Sequence, residues 1–111
     1  VAGAPVTDQR LYDTCYSERY METPDQNLEG YEEASVLGRA GQIRGKLLII
    51  HGLVDENVHF RHTARFLEGA VEAGKDIDVM LLPSSRHSPR GFETNRAILA
   101  RTVSYFKDHL R

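Results

Sequence analysis

An aspartate and a histidine, each placed just past an apolar run, are the residues of this chain best suited to chemistry. The run from Lys46 to His51 is dominated by Leu47, Leu48, Ile49 and Ile50, and it leads through Gly52 to Asp55. A second run, Val79-Met80-Leu81-Leu82, leads into a polar loop that holds His87. A histidine can take a proton from a hydroxyl nucleophile and return it to a leaving group. A buried carboxylate beside it fixes its tautomer and stabilises the imidazolium. One helix and one strand of chain separate Asp55 from His87, which places the two at the ends of neighbouring strands. Each has a plainer reading. Asp55 also suits the cap of a helix starting near His59, and His87, between Arg86 and Arg90, also suits a surface loop. Their shared position after two buried strands favours the pair. No Gly-x-Ser-x-Gly elbow occurs in these residues, so the pair has no serine of that motif to activate.

Other candidates surround the pair. Asn57 can donate to a substrate carbonyl, although loop asparagines more often serve turns. His51, His59 and His62 invite a metal reading, but they lack zinc spacing such as His-Glu-x-x-His. No metal is expected. Tyr12, Tyr16 and Tyr20 follow the i, i+4, i+8 spacing of one helical face. Such a face is either plain packing or an amphipathic pocket wall, since tyrosine carries a polar tip.

These residues are positioned by a chain of 111 residues, at most one small domain. Fourteen basic against sixteen acidic residues give a net charge of −2, which argues against nucleic acid or an anionic membrane as partner. The run Leu47 to Ile50 is far too short to span a bilayer. A single cysteine excludes an internal disulfide, and Cys15 is expected to be a small buried or half-buried side chain.

Val1 to Val6 is small and β-compatible, with Pro5 ending regular pairing. Asp8 to Met21 carries the tyrosine spacing of a helix. Thr23 to Asn27 is a turn in which Asp25 or Asn27 can cap a short helix over Gly30 to Leu37. A loop then runs through Gly38, Gly41 and Gly45. Lys46 to His51 has the composition of a central parallel strand covered on both faces. Phe60 to Ala73 is helical, with Gly74 at its end. Ile77 to Leu82 is a second buried strand. Glu93 to Leu110 is an amphipathic final helix with Thr94 or Asn95 near its start. The order predicts an α/β fold of about three parallel strands flanked by helices, joined by right-handed crossovers. In such sheets function collects beyond the carboxyl ends of the strands. Val6 to Tyr16, Gly52 to His59 and Pro83 to Gly91 all fall there.

Three blocks of residues carry a family resemblance. Ala4-Pro5-Val6-Thr7 continues as Leu11-Tyr12-Asp13-Thr14-Cys15-Tyr16-Ser17-Glu18-Arg19-Tyr20-Met21 and Thr23-Pro24-Asp25-Gln26-Asn27. His51-Gly52 precedes Asp55-Glu56-Asn57-Val58-His59-Phe60. Arg86-His87-Ser88 closes the set. Together they resemble the carboxyl-terminal end of the prolyl oligopeptidase family, within its dipeptidyl peptidase IV subfamily, over nearly the whole chain. The resemblance implies a partial α/β-hydrolase fold, with residues 1–111 forming the carboxyl-terminal portion of a peptidase domain. It implies that Asp55 is the triad acid and His87 the triad base. Val6, Tyr12, Tyr16 and Val58 would line the pocket for a penultimate proline or alanine, and Asn57 would bind the carbonyl of the amino-terminal residue. The implied reaction is release of Xaa-Pro or Xaa-Ala dipeptides from a peptide substrate, with no metal or organic cofactor.

The departures are specific. The serine elbow, the oxyanion-hole tyrosine and the β-propeller are not among these residues. Gln9 stands where members carry a tryptophan beside the pocket. Ser88 follows the histidine where many members have glycine, as in the branch that includes the cytosolic dipeptidyl peptidases. The isolated chain is therefore expected to be inactive. Two alternatives stand beside this reading. One is a non-catalytic module that associates with itself through the unpaired edge of its first strand, giving a homo-oligomer. The other is part of a different α/β-hydrolase, an acyl-peptide peptidase or esterase.

Overall fold

The computed structural model describes residues 1–110. Its centre is the apolar run near the middle of the chain. Strand β2 (Leu48–Gly52) is buried at every residue. It is flanked in parallel by β1 (Ala2–Gly3) on one side and β3 (Asp78–Leu82) on the other, in the order β1-β2-β3. Alternation along β2 sends Ile49 and His51 to one face and Leu48 and Ile50 to the other. The first face is covered by helix α3 (Arg61–Glu72), where Ile49 packs with Phe66, Ala70 and Ala40. The second is covered by helix α4 (Phe92–His109), where Leu48 and Ile50 pack with Leu82 and Tyr105. Ile49 is only 1% exposed. A side chain buried to that degree contributes about 2–5 kcal/mol relative to alanine. The three parallel strands and their flanking helices are the α/β architecture expected from the sequence.

The structure corrects several details. The segment from Asp8 to Met21 is not one helix. Asp8 caps a 3-10 turn at Gln9–Leu11, and Asp13 accepts the Tyr16 N–H and starts helix α1 at Thr14–Met21. Tyr12 lies between them in extended backbone. Its ring still meets Tyr16 edge-on at 5.7 Å, and Tyr16 meets Tyr20 at 5.0 Å. Cys15 is exposed, because α1 buries only Ser17. Helix α2 runs over Leu28–Ala34, two residues earlier at its start than expected, because Asn27 caps it by accepting the Gly30 N–H.

The expected glycine loop contains a 3-10 helix, Leu37–Gln42, that packs on α3. Gly69 permits that contact, since a Cβ there would lie 2.9 Å from the Leu37 carbonyl. Strand β3 is half-buried rather than buried, with Leu81 46% exposed. Among the described residues it is the edge of the sheet. Helix α4 starts one residue before Glu93, with Gly91 at its cap in the left-handed region and Asn95 Nδ2 donating to the Gly91 carbonyl.

Candidate active site

Strands β2 and β3 run side by side, so the loops that leave their carboxyl ends emerge together. Three backbone bonds lock those loops. Leu53 N–H donates to the Leu82 carbonyl at 3.1 Å, Val54 N–H to Ser85 at 3.3 Å, and Ser85 N–H to Leu82 at 3.1 Å. Their approach depends on Gly52. A Cβ at that position would lie 2.2 Å from the Ser85 carbonyl oxygen and 3.0 Å from that of Arg86. Only glycine lets the histidine loop fold down onto the end of β2.

The result is a formed acid–histidine pair. Asp55 Oδ2 lies 3.0 Å from His87 Nδ1. Asp55 is 2% exposed. Its other oxygen, Oδ1, accepts the backbone N–H groups of Asn57 at 2.9 Å and Val58 at 2.8 Å. These bonds hold the loop ahead of α3, whose first N–H, that of Arg61, donates to His59 Nδ1 at 3.1 Å. The helix-cap reading of Asp55 is thus replaced by a loop-holding role alongside the histidine contact. Burial alone would push the Asp55 carboxyl up. The bonds from His87, Asn57 and Val58 outweigh burial and hold it below the usual carboxylate range. The acid is therefore ionised near neutrality, as a partner for an imidazolium must be.

His87 itself is partly open, with its side chain 38% exposed. Its N–H donates to Glu56 Oε2 at 3.3 Å. Among the described residues nothing hydrogen-bonds its Nε2, and none of the chain's serines bonds its ring. The pair borders a cavity of about 430 Å³, lined also by Gly3 and Ala4 near β1 and by Asn95 and Ile98 on α4. An imidazole with its inner nitrogen on a carboxylate and its outer nitrogen free can accept a proton from a hydroxyl that enters this space.

The remaining site residues fall at the same end of the sheet. Tyr12 donates its hydroxyl to Asn57 Oδ1 at 2.6 Å, which joins the tyrosine segment to the acid loop. Asn57 and His87 line a common cleft of about 410 Å³ with Asp13 and Glu56. Tyr16 is 54% exposed beside Tyr12. Val6 is exposed and directly precedes Thr7, which bonds His62 beneath the Tyr12 ring. Val58 is buried, and its visible contacts are through backbone: its N–H to Asp55 and its carbonyl to His51. Gln9 accepts the Ser17 hydroxyl through its side chain at 3.1 Å.

Sequence reasoning did not single out four contributors. Gly52 sets the approach of the loops, and its signal was a glycine ending an apolar run. Glu56 holds the His87 backbone. His51 and Thr63 lie beneath Asp55 and bond each other at 2.7 Å. In the sequence His51 reads as a metal candidate and as the start of the His51-Gly52 block, with no role beside Asp55. Among the described residues, no cluster of three or more His, Cys, Asp or Glu is placed to hold a metal ion.

Comparison with known proteins gives the family of the chain. The family model described as the prolyl oligopeptidase family matches residues 1–111. The chain is 43% identical over 113 residues to dipeptidyl peptidase 8 of Homo sapiens, a match that covers 99% of this chain and 13% of that protein. It is 39% identical over 106 residues to dipeptidyl aminopeptidase B of Saccharomyces cerevisiae, covering 94% of this chain and 13% of the relative. The crystal structure of dipeptidyl peptidase 4 from Porphyromonas gingivalis superposes with a TM-score of 0.94 at 38% identity, over 98% of this chain and 16% of that one. The chain thus spans a small part of the relatives it matches. Matched along its entire length by the family model, this chain belongs to the prolyl oligopeptidase family.

Proposed function

We propose that the chain is the carboxyl-terminal portion of a serine dipeptidyl peptidase domain and carries the acid and the base of its triad. The observation that supports this most is the 3.0 Å contact between Asp55 Oδ2 and His87 Nδ1, with Nε2 of His87 left free beside an open cavity. In the complete peptidase a serine from residues outside these 111 attacks the carbonyl after a penultimate proline or alanine. His87 Nε2 takes the hydroxyl proton and then delivers it to the leaving amine. Asp55 keeps the Nδ1 proton in place and stabilises the imidazolium. Tyr12, Tyr16, Val6 and Val58 contribute to the wall against the proline ring. Asn57, its Oδ1 occupied by Tyr12, turns its amide nitrogen toward the carbonyl of the substrate's first residue. No metal or organic cofactor enters this scheme. The same relatives favour a dipeptidyl peptidase over an esterase or acyl-peptide peptidase.

The test has two arms. The complete peptidase that contains this chain cleaves a Gly-Pro chromogenic amide and is silenced by a serine-directed inhibitor. The purified 111-residue chain does not cleave it. Inhibitor-sensitive cleavage by the short chain alone contradicts the reading.

A second reading concerns assembly. Helix α4 exposes Leu99, Val103 and Phe106, and β1 has a free edge among the described residues. These surfaces favour self-association of the isolated chain. Sedimentation velocity is expected to show dimers or larger species, and a single monomer boundary contradicts it.

A further inference from the structure

The reaction proposed above makes no use of His51, yet this residue is more constrained than His87. It sits on β2 at 1% exposure. Its Nε2 lies 2.7 Å from the Val58 carbonyl oxygen, and its Nδ1 lies 2.7 Å from Thr63 Oγ1 on α3. A carbonyl oxygen can only accept. The Val58 bond therefore places the ring proton on Nε2, and Nδ1 accepts the Thr63 hydroxyl proton. The tautomer is assigned by this network. The Phe60 ring meets the His51 ring edge-on at 5.5 Å and restricts its rotation.

The same Nε2 lies 3.3 Å from Asp55 Oδ2, the oxygen that receives His87. The carboxylate is thus held at both ends. Two backbone amides fix Oδ1, and two imidazoles flank Oδ2. In the opposite His51 tautomer, the Nε2 lone pair would face both the Val58 carbonyl and the Asp55 carboxylate. That arrangement repels and leaves the buried Val58 carbonyl short of its donor.

We propose that His51 is a positioning residue that shares its Nε2–H between the Val58 carbonyl and Asp55 Oδ2, and that Thr63 sets the tautomer that makes this possible. His51 acts through Asp55 on the orientation of His87 and touches no substrate. The catalytic consequence rests on the assignment of Asp55 and His87 as triad members. The structural claim, that His51 and Thr63 hold the Asp55–His87 bond, stands apart from it.

Three variants test the proposal. His51→Leu fills the space without a donor. His51→Gln can bring an amide nitrogen to the Nε2 position. Thr63→Val keeps the shape of α3 and the histidine but removes the hydroxyl. The first readout is the hydrogen-bonded Nδ1–H resonance of His87 in proton NMR of the 111-residue chain. It is expected in the parent and in His51→Gln, and lost or broadened in His51→Leu and Thr63→Val. The second readout is kinetics of the complete peptidase. A misdirected base is expected to lower kcat by about 10²-fold in His51→Leu, with KM within about twofold and substantial recovery in His51→Gln. An unchanged resonance in both His51→Leu and Thr63→Val overturns the proposal. Equal loss in His51→Gln and His51→Leu also overturns it, since that marks a packing role. If His51→Leu fails to fold, His51→Gln and Thr63→Val decide by the same criteria. Absence of peptidase activity in the complete parent protein counts against the proposed function alone, because the NMR readout does not depend on it.

Discussion

The loops that carry Asp55 and His87 and the segment that carries the tyrosines lie at the same end of the sheet, yet they are held in different ways. The first two are tied to each other by backbone bonds and rest on buried polar groups: Asp55, His51 and Thr63 are all at most 2% exposed. The tyrosine segment is shallow. Helix α1 buries only Ser17, Tyr16 is 54% exposed and Tyr20 68%. Its link to the acid loop is the bond from Tyr12 to Asn57, with Arg61 also donating to the Leu11 carbonyl. The proposed catalytic pair is thus held within two adjacent loops and the ends of the strands they leave. The proposed substrate wall is built from side chains whose rings mostly face outward. One region is buried and cross-bonded, and the other is largely exposed.

That contrast can be broken from the rigid side. Gly52→Ala introduces a Cβ 2.2 Å from the Ser85 carbonyl, and the clash is with backbone, which cannot step aside. The histidine loop must lift. Misplacement of a base by about 1 Å is expected to cost about 10²-fold in kcat of the complete peptidase. Strain of this kind also costs about 1–3 kcal/mol of stability. Steady-state kinetics and urea denaturation check both, and a variant with parent-like kcat would show that the approach of the loops is unimportant.

Acid sharpens the comparison, because buried titratable groups sit in both regions. Burial, with a smaller contribution from Arg61, pushes the His62 imidazole down from its usual 6.5. The unfolded chain therefore gains a proton below that value that the folded chain refuses, and stability falls as the pH drops from 6.5 toward the depressed folded value. Asp55 and Asp8 are held below 3.8, Asp8 because bonds from Arg10 outweigh its burial. Their stabilisation is present above 3.8 and is lost as pH falls through their folded values. The urea midpoint is expected to decline in two stages. The first, which sets in as the pH falls through 6.5, is reduced in His62→Leu. A midpoint independent of pH across that first window contradicts the burial of a neutral His62.

The smallest effect belongs to the tyrosine side. Tyr12→Phe removes one part-exposed hydrogen bond, worth about 0.5–1.5 kcal/mol. KM for a Gly-Pro substrate is expected to rise by at most about tenfold, with kcat little changed. A collapse of kcat comparable to that of Gly52→Ala would show that the two regions are not separable.

Much of this could be read from the residues alone. The apolar run at Leu47 to Ile50 announced the central strand because a strand covered on both faces has no need of alternation. Asp55 and His87 were legible from their places after two such runs. The tyrosine periodicity was read as one helix, but Asp8 and Asp13 each capture backbone N–H groups and divide the segment. Periodicity carries no record of a cap that interrupts it. Edge position is equally hidden: Val79 to Leu82 is as apolar as a central strand, yet Leu81 is 46% exposed. The support of Asp55 by His51 and Thr63 escaped because it joins a strand to a helix through side chains whose types suggest packing or metal before they suggest alignment.

The most direct test of the account is Asp55→Asn in the complete peptidase, with kcat measured on a Gly-Pro amide. The substitution keeps the shape of the side chain and exchanges an acceptor for a donor at the His87 contact. The account predicts a loss of about 10⁴-fold with the fold intact. Parent-like turnover in Asp55→Asn would contradict it.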